Sequence, residues 1–457
     1  MALHIVILAA GQGKRMYSSK PKVLHQLAGK SMLERVVDTA SALQPEAIHV
    51  IIGHESEQIK AALPHLAVNW IFQAEQLGTG HAVMQALDYI PLSAKVLVLS
   101  ADVPLIQTQT LSALLDCSEA TGDTPSLALL LARLENPTGL GRIVRNESGQ
   151  ILAIVEEKDA SEAQKQIKEI YSGICCTSAV NLSDWLPKLS SQNAQGEYYL
   201  TEIIAMAVAD GVPITSMLAT DNIDIQGVNN RLQLQQLERL WQTRGARKLM
   251  LAGVSLADEN RIDIRGELDC GQDVFIDVNA VISGKVTIGD GSHIGPNCVL
   301  KDATIGRNTQ VFANSVIDTV TIGDHCEIGP FARLRPGTQL AAFCKIGNFV
   351  ETKNSVFSEG TKANHLSYVG DAIVGKKVNL GAGTITCNYD GANKYQTIIE
   401  DGVFIGSASQ LVAPVLIGAN ATIGAGSTIR KNVPAGELTL TESKQKTVFG
   451  WKRPVKK

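Results

Sequence analysis

The residues best equipped for chemistry are few and widely spaced. Near the start of the chain, "LAAGQGKRM", Leu8 to Met16, sets two glycines beside Lys14 and Arg15, and Lys22 follows in "SSKPKVL". Backbone N–H groups of a glycine turn, reinforced by Arg and Lys, suit a triphosphate. A tight turn with solvated cations is the alternative. A dinucleotide fingerprint is excluded, because Met16 stands where its third glycine belongs and the second apolar run, "HVIIG", ends in Gly53 rather than an acid. The Walker phosphate loop is also absent. Asp102 comes directly after the apolar run "VLVLS". A carboxylate at the carboxyl end of a parallel strand is placed to hold Mg2+ near phosphates. Two further glycine-rich stretches, "QLGTGHA" and "PTGLGRI", read equally well as ordinary turns.

In the second half the groups able to move a proton near neutral pH are His293, His325 and His365. The first two follow Gly-Asp turns on a regular beat, which suits exposed or corner positions. His365, in "KANHLSYVG", falls where the beat breaks. It reads either as a structural histidine or as a general base, since an imidazole titrating near 6.5 suits acyl transfer to an amine.

The elements that must position these groups obey two grammars. From residue 1 to 229, β-branched runs such as "HIVILAA", "AIHVIIG", "VNWIFQ", "KVLVLSADVP" and "LALLLARL" alternate with amphipathic stretches. That pattern predicts an α/β domain with a Rossmann-like, mostly parallel sheet and crossover helices. Residues 230–250, with Leu234, Leu237 and Trp241 at helical spacing, predict a linker helix. Residues 251–457 keep a six-residue beat: Ile322, Ile328, Leu334, Leu340 and Ile346, then Ile399, Ile405, Leu411, Ile417, Ile423 and Ile429. This period predicts an all-β, left-handed parallel β-helix of hexapeptide repeats, against the alternative of a coincidentally periodic sandwich. The beat fails over 347–373 and 386–397, and both breaks are expected to be loops on the binding face.

Composition sets the outer limits. A chain of 457 residues exceeds what one core supports. With 45% hydrophobic and 19% charged residues and a net charge of −4, nothing points to a nucleic-acid partner. Eight scattered cysteines without a C-x-x-C, and no apolar stretch long enough to span a bilayer, predict a cytoplasmic protein with no membrane insertion.

In order along the chain, L-A-A-G-x-G-x-R-M, P-K-V-L, Q-A-E-Q-L-G-T-G-H-A, D-V-P-L, P-T-G-x-G-R-I, N-A-Q-G-E-Y-Y-L-T and G-V-N-N resemble the sugar-nucleotide pyrophosphorylases. With the hexapeptide half and "NYDGANK", nearly all of 1–457 resembles the bifunctional bacterial N-acetylglucosamine-1-phosphate uridylyltransferase / glucosamine-1-phosphate N-acetyltransferase family. That resemblance implies acetylation of glucosamine 1-phosphate by acetyl-CoA. It then implies transfer of UMP from UTP to the product, giving UDP-N-acetylglucosamine, a precursor for peptidoglycan and lipopolysaccharide, and pyrophosphate. A homotrimer is implied as well.

Carried over position by position, the resemblance puts Leu8, Ala9, Ala10 and Gly11 on the nucleotide, with Arg15 and Lys22 neutralising phosphates. Asp102 and Asn229 would hold Mg2+. Gln73, Gly78 and Thr79 would read uracil, and Gly141, Glu156, Tyr171 and Thr201 would line the sugar pocket. In the second half it implies His365 as general base, Arg335, Lys353, Tyr368 and Asn379 on the sugar phosphate, and Ala382, Asn388, Tyr389, Ser407 and Ala425 on acetyl-CoA. Three departures stand out. Ser100-Ala101 replaces the usual Tyr-Gly before the metal Asp, Tyr171 replaces an Asn that meets the sugar, and Glu442 stands where an Arg near the C-terminus is usual, with Lys444 or Lys446 as substitutes. Two other readings use the same folds: a monofunctional sugar-1-phosphate nucleotidylyltransferase with a structural or regulatory solenoid, and a non-catalytic regulatory subunit. His365 with "CNYDG" argues against the first, and the retained Arg15, Lys22, Asp102 and Asn229 argue against the second.

Overall fold

The central β-branched runs of the first half become strands because they are buried on both faces, whereas Asn69–Phe72 at the sheet edge is largely exposed. Val6, Val50, Val98 and Leu129, from four strands of one sheet, are fully inaccessible to solvent. The structure is a computed structural model that describes residues 1–120 and 125–456. It divides into two compact units, Met1–Trp241 and Gln242–Lys457.

The main sheet of the first unit runs Ile214–Leu218, Leu127–Arg133, Glu169–Ser178, Lys95–Ser100, Leu3–Leu8, Ala47–Ile52, Asn69–Phe72. Leu3–Leu8 pairs in parallel with Ala47–Ile52 on one side and Lys95–Ser100 on the other. The strand order therefore reverses at Leu3–Leu8, which opens a crevice at the carboxyl ends of Leu3–Leu8 and Lys95–Ser100. Glu169–Ser178 lies antiparallel to both neighbours, and the hairpin Arg142–Arg145/Ile151–Val155 branches from it. Alternation of apolar runs did not anticipate either feature.

The helix Arg231–Leu251 crosses the division between the units. On the first unit its Leu237 is buried with Met16, Leu27 and Met32. Arg35 lies 4.3 Å over the Trp241 ring, and Glu238 accepts a 2.6 Å hydrogen bond from the N–H of Ala28. In the second unit Gln242 brackets Ile264, accepting from its N–H (2.7 Å) and donating to its carbonyl (2.9 Å).

From Ser255 onward every pairing between strands is parallel, and between the first coil (Ser255↔Phe275, 20 apart) and the last (Thr422↔Leu438, 16 apart) it joins residues 17, 18 or 25 positions apart, for example Glu327↔Lys345, Lys345↔Lys362 and Asn379↔Phe404. The result is a left-handed parallel β-helix. The expected loop over 347–373 is not there: that stretch forms regular coils one residue short. There, as in two earlier coils, one inward step shrinks from six residues to five, always on the same face: Leu300 to Ile305, Ile317 to Ile322, Thr352 to Phe357, Val369 to Val374, all buried. Thr352 and Ala363 occupy inward positions, so an aliphatic count loses the beat while the coil keeps it. Of the stretch 386–397, residues 388–396 do leave the coil, while Thr386, Cys387 and Thr397 stay in coil strands, and this is why the Asn379↔Phe404 step spans 25 residues.

Coil corners use the left-handed backbone region. One column of corners reads Asn279, Asn297, Asn314, Phe331, Phe349 and Leu366, all with φ between 47° and 62°. Asparagine takes this conformation readily, whereas a bulky residue does so at a cost. Phe331 and Phe349 stack at 5.3 Å and remain about half exposed, as does Leu366. No helix among the described residues is long and apolar enough to cross a membrane.

Candidate functional sites

In the first unit the crevice at the reversal of strand order is a cavity of about 560 Å3. Its walls include Leu8, Ala9, Ala10 and Gly11 from the first glycine turn, and Gln73, Gly78 and Thr79 from the second. Lys22 and Asp102 close the end between Leu3–Leu8 and Lys95–Ser100. Gly78 has φ 111°, and a Cβ there would sit 2.6 Å from the carbonyl of Tyr198, so only glycine lets the two segments close. The Gln73 amide is buried, donating to His81 Nδ1 (2.9 Å) and the Gly78 carbonyl (3.5 Å).

Four of the charged or polar residues named from sequence form one chain of contacts. Lys22 Nζ donates to Asp102 Oδ2 (2.6 Å) and to Asn229 Oδ1 (3.0 Å), and Arg15 Nη2 donates to the same Asn229 oxygen (3.0 Å). Ser100, one of the departures from the family pattern, donates its hydroxyl to Asp102 Oδ1 (2.7 Å). The backbone reinforces the link: Val228 N–H bonds the Asp102 carbonyl at 2.8 Å. A carboxylate oxygen and an amide oxygen that jointly hold an ammonium are hard donors, spaced to share a small cation. This donor set therefore fits Mg2+.

A second cluster combines Gly141, Glu156 and Thr201. Thr201 Oγ1 donates to Glu156 Oε1 (3.2 Å), and a Cβ on Gly141 would meet Ile154 at 2.8 Å and Glu156 Oε1 at 3.5 Å. Burial raises the Glu156 carboxyl above its usual range, the Thr201 hydrogen bond opposes this, and Asp159 adds to it. Tyr171 belongs to the apolar core, with only its N–H turned to the cluster, bonding the Gly141 carbonyl at 3.0 Å. Burial, together with the Cys175 thiol and Glu156, raises its phenol well above the usual value.

Sequence reasoning overlooked Arg142. Its guanidinium is 2% exposed, pairs with Glu157 Oε2 at 2.6 Å and bonds the carbonyl of Leu140, tying down the loop that carries Gly141. The signal was an arginine at the start of an apolar run, "GRIV", where a solvated cation is out of place.

In the second unit His365 ends the strand Lys362–His365, exposed, with Nδ1 2.8 Å from Asn348 Oδ1. Strand register puts Asn348 opposite His365 and Lys362 opposite Asn379. The Ala408 N–H bonds the Ala382 carbonyl and the Gly426 N–H the Ser407 carbonyl. His365, Ala382, Ser407 and Ala425 thus occupy one position on successive coils and form a column.

The next face holds a different set. Arg335 pairs with Glu351 (2.8 Å), and register places it opposite Lys353. Asn388, on the segment that leaves the coil, donates to Asp371 Oδ2 (2.5 Å). That segment folds back through a Tyr389↔Lys394 bridge, bringing Lys394 beside Lys353, whose ammonium lowers the Lys394 pKa. Lys394 was not picked out from sequence. Its only signal is a cation closing the polar run "NYDGANK". Two amines held together make an anion site. The corner residue Leu366 stands between His365 and Tyr368, so the imidazole and the amine cluster lie on different faces of the same coil. Lys444 and Lys446 lie with Glu442 in an exposed C-terminal stretch.

The chain matches the model of the MobA-like NTP transferase domain over residues 5–166, that of the GMPPB C-terminal domain over 264–342, and that of the bacterial transferase hexapeptide (six repeats) over 396–431. It is 66% identical to the bifunctional protein GlmU of Legionella pneumophila strain Philadelphia 1, across 100% of this chain and 99% of that one. Identity is 58% to the protein of the same name from Marinobacter nauticus, across 99% of each chain. It is 53% to that from Stutzerimonas stutzeri, across 100% of each.

Proposed function

The chain belongs to the GlmU family of bifunctional enzymes and is a transferase with uridylyltransferase and acetyltransferase activity, and from that premise we propose how it divides the work. Residues 1–229 carry uridylyl transfer, residues 251–457 acetyl transfer, and 230–250 join them. The observation that carries this reading is the separation of chemistries. Cations and hard oxygen donors gather at a sheet edge in one unit, and an exposed, oriented imidazole stands on a coil column in the other.

In the first site a phosphate oxygen of N-acetylglucosamine 1-phosphate attacks the α-phosphorus of UTP. The bond to the β-phosphate oxygen breaks and pyrophosphate leaves. Positioning and charge neutralisation dominate such transfers. Arg15 and Lys22 neutralise phosphate charge. The backbone of Leu8, Ala9, Ala10 and Gly11 cradles the nucleotide, and Gln73, Gly78 and Thr79 read the uracil edge. Asp102 and Asn229 would hold Mg2+, which supplies further neutralisation of the phosphates when bound. Gly141, Glu156 and Thr201 take the sugar hydroxyls, and Tyr171 acts through the N–H that fixes Gly141.

In the second site the amine of glucosamine 1-phosphate attacks the thioester carbonyl of acetyl-CoA, the C–S bond breaks and CoA leaves. With Asn348 Oδ1 accepting from Nδ1, His365 keeps Nε2 free to take the amine proton. Arg335, Lys353 and Lys394 hold the sugar phosphate with Tyr368 and Asn379. The column Ala382, Ser407 and Ala425, with Asn388 and Tyr389, takes acetyl-CoA, and Lys444 or Lys446 meets its phosphates. His365 and the amine cluster face different ways within one chain. A homotrimer that brings a second copy against the exposed Phe331–Phe349–Leu366 column would complete the site. Eight unpaired cysteines suit a reducing cytoplasm.

The test is a coupled assay with glucosamine 1-phosphate, acetyl-CoA, UTP and Mg2+, following free thiol and pyrophosphate separately. Release of both is expected. Pyrophosphate only from pre-acetylated sugar, with no thiol released, would reduce the β-helix to a scaffold.

A further inference from the structure

Lys22 spans the oxygens assigned to the metal. Its side chain is only 10% exposed and its ammonium spans Asp102 Oδ2 at 2.6 Å and Asn229 Oδ1 at 3.0 Å. The remaining Asp102 oxygen is held by Ser100, and Arg15 also donates to Asn229 Oδ1. Each oxygen offered to a cation thus already has a donor. The lysine is placed there by its backbone: Gly13, at φ 60°, lets the chain pass so close that a Cβ on it would lie 2.6 Å from Lys22 Cβ. Pro21 fixes the approach from the other side.

We propose that in the ligand-free enzyme Lys22 stands in for the divalent cation, and that the cation takes up Asp102 and Asn229 only as the nucleotide's phosphates draw this ammonium away. The inference rests on the reading of Asp102 and Asn229 as the metal-holding pair. An ammonium is a compact point charge on a flexible stem, so it can leave one oxygen pair for nearby phosphate oxygens without backbone movement. Ser100 keeps its hold on Oδ1 and is a positioning residue, leaving Oδ2 directed at the vacated place. The same lysine then serves twice. It blocks futile metal binding in the empty site and neutralises phosphate charge in the filled one. Metal and nucleotide binding are thereby coupled, each favouring the other.

The experiment is Mn2+ binding to the full-length protein without nucleotide, read from the free-ion electron paramagnetic resonance signal, for wild type, Lys22→Met, Lys22→Gln and Asp102→Ala, alone and combined. Lys22→Met is expected to bind Mn2+ about 10- to 100-fold more tightly than wild type, the equilibrium factor of losing one charge-assisted hydrogen bond. Lys22→Gln, shorter, polar and uncharged, is expected to show the same direction, which guards against a folding artefact in either variant. Adding Asp102→Ala to Lys22→Met is expected to abolish the gain. Equal or weaker Mn2+ binding in both lysine variants, with Asp102→Ala still lowering affinity, would overturn the stand-in role while leaving the metal pair intact. Mn2+ binding indifferent to Asp102→Ala in every background would overturn the metal reading, and the stand-in with it.

Discussion

Gly370→Ala should silence one activity and spare the other. Gly370 lies between Tyr368 and the segment bearing Asn388, with a backbone conformation open to alanine. A Cβ at this position would lie 2.3 Å from the Tyr368 hydroxyl oxygen and 2.9 Å from Asn388 Nδ2. The backbone cannot give way easily, because Thr386 Oγ1 bonds both the N–H (2.8 Å) and the carbonyl (2.9 Å) of Gly370. The tip of a tyrosine can swing, so the fold should survive. The phenol must retreat by about 1 Å, from 2.3 Å to the 3.4 Å of ordinary van der Waals contact. A misplacement of about 1 Å among positioning groups costs on the order of 10²-fold in rate. Thiol release from acetyl-CoA should therefore fall by about that factor, while pyrophosphate release from UTP and N-acetylglucosamine 1-phosphate stays at the wild-type rate. A folded Gly370→Ala protein that acetylates within about threefold of wild type would refute the placing of Tyr368 and Asn388 at the acetyl-transfer site.

Arg142→Met keeps the buried stem and removes the charge that ties the Leu140 carbonyl to Glu157. The loop bearing Gly141 should loosen and KM for the sugar phosphate rise roughly tenfold, the worth of one charge-assisted hydrogen bond, with kcat little changed. Steady-state pyrophosphate release against sugar-phosphate concentration checks this. Stability should also respond to acid through a buried histidine pair. His4 and His49 stack at 5.3 Å with a 3.0 Å hydrogen bond, and burial, aided by His4, depresses the His49 pKa to about 4. The unfolded chain titrates this group near 6.5, so it binds the proton first. The contribution is complete above about pH 6.5 and is lost as pH falls toward 4. Urea unfolding should show the gap between wild type and His49→Leu narrowing over that window, and an unchanged gap would contradict the burial argument.

Much of this architecture was legible because it rests on local signals. Runs such as "HIVIL" and "KVLVLS" announce buried strands, and Gly13 and Gly78 announce close approaches. What stayed hidden depended on partners distant in sequence. The antiparallel course of Glu169–Ser178 is set by its neighbours, since "IYSGICCTS" has the same apolar content in either direction. The coils of 347–373 were misread as a loop because Thr352 and Ala363 point inward and one residue per turn is missing. Arg142 and Lys394 look like surface cations until the fold brings Glu157 to one and Lys353 to the other. Tyr171 could be flagged as unusual from its position, but only the register shift between it and Cys175 goes with a side chain in the core and an N–H at Gly141.

The central claim is that two separate sites in one chain do two reactions. Its most direct test measures thiol release and pyrophosphate release in parallel on full-length Asp102→Ala and His365→Ala, each reaction supplied with its own substrates. A crossed result is expected: Asp102→Ala loses pyrophosphate release and acetylates normally, and His365→Ala does the reverse. Loss of both activities in either folded variant, or acetylation at an unchanged rate in His365→Ala, would contradict it.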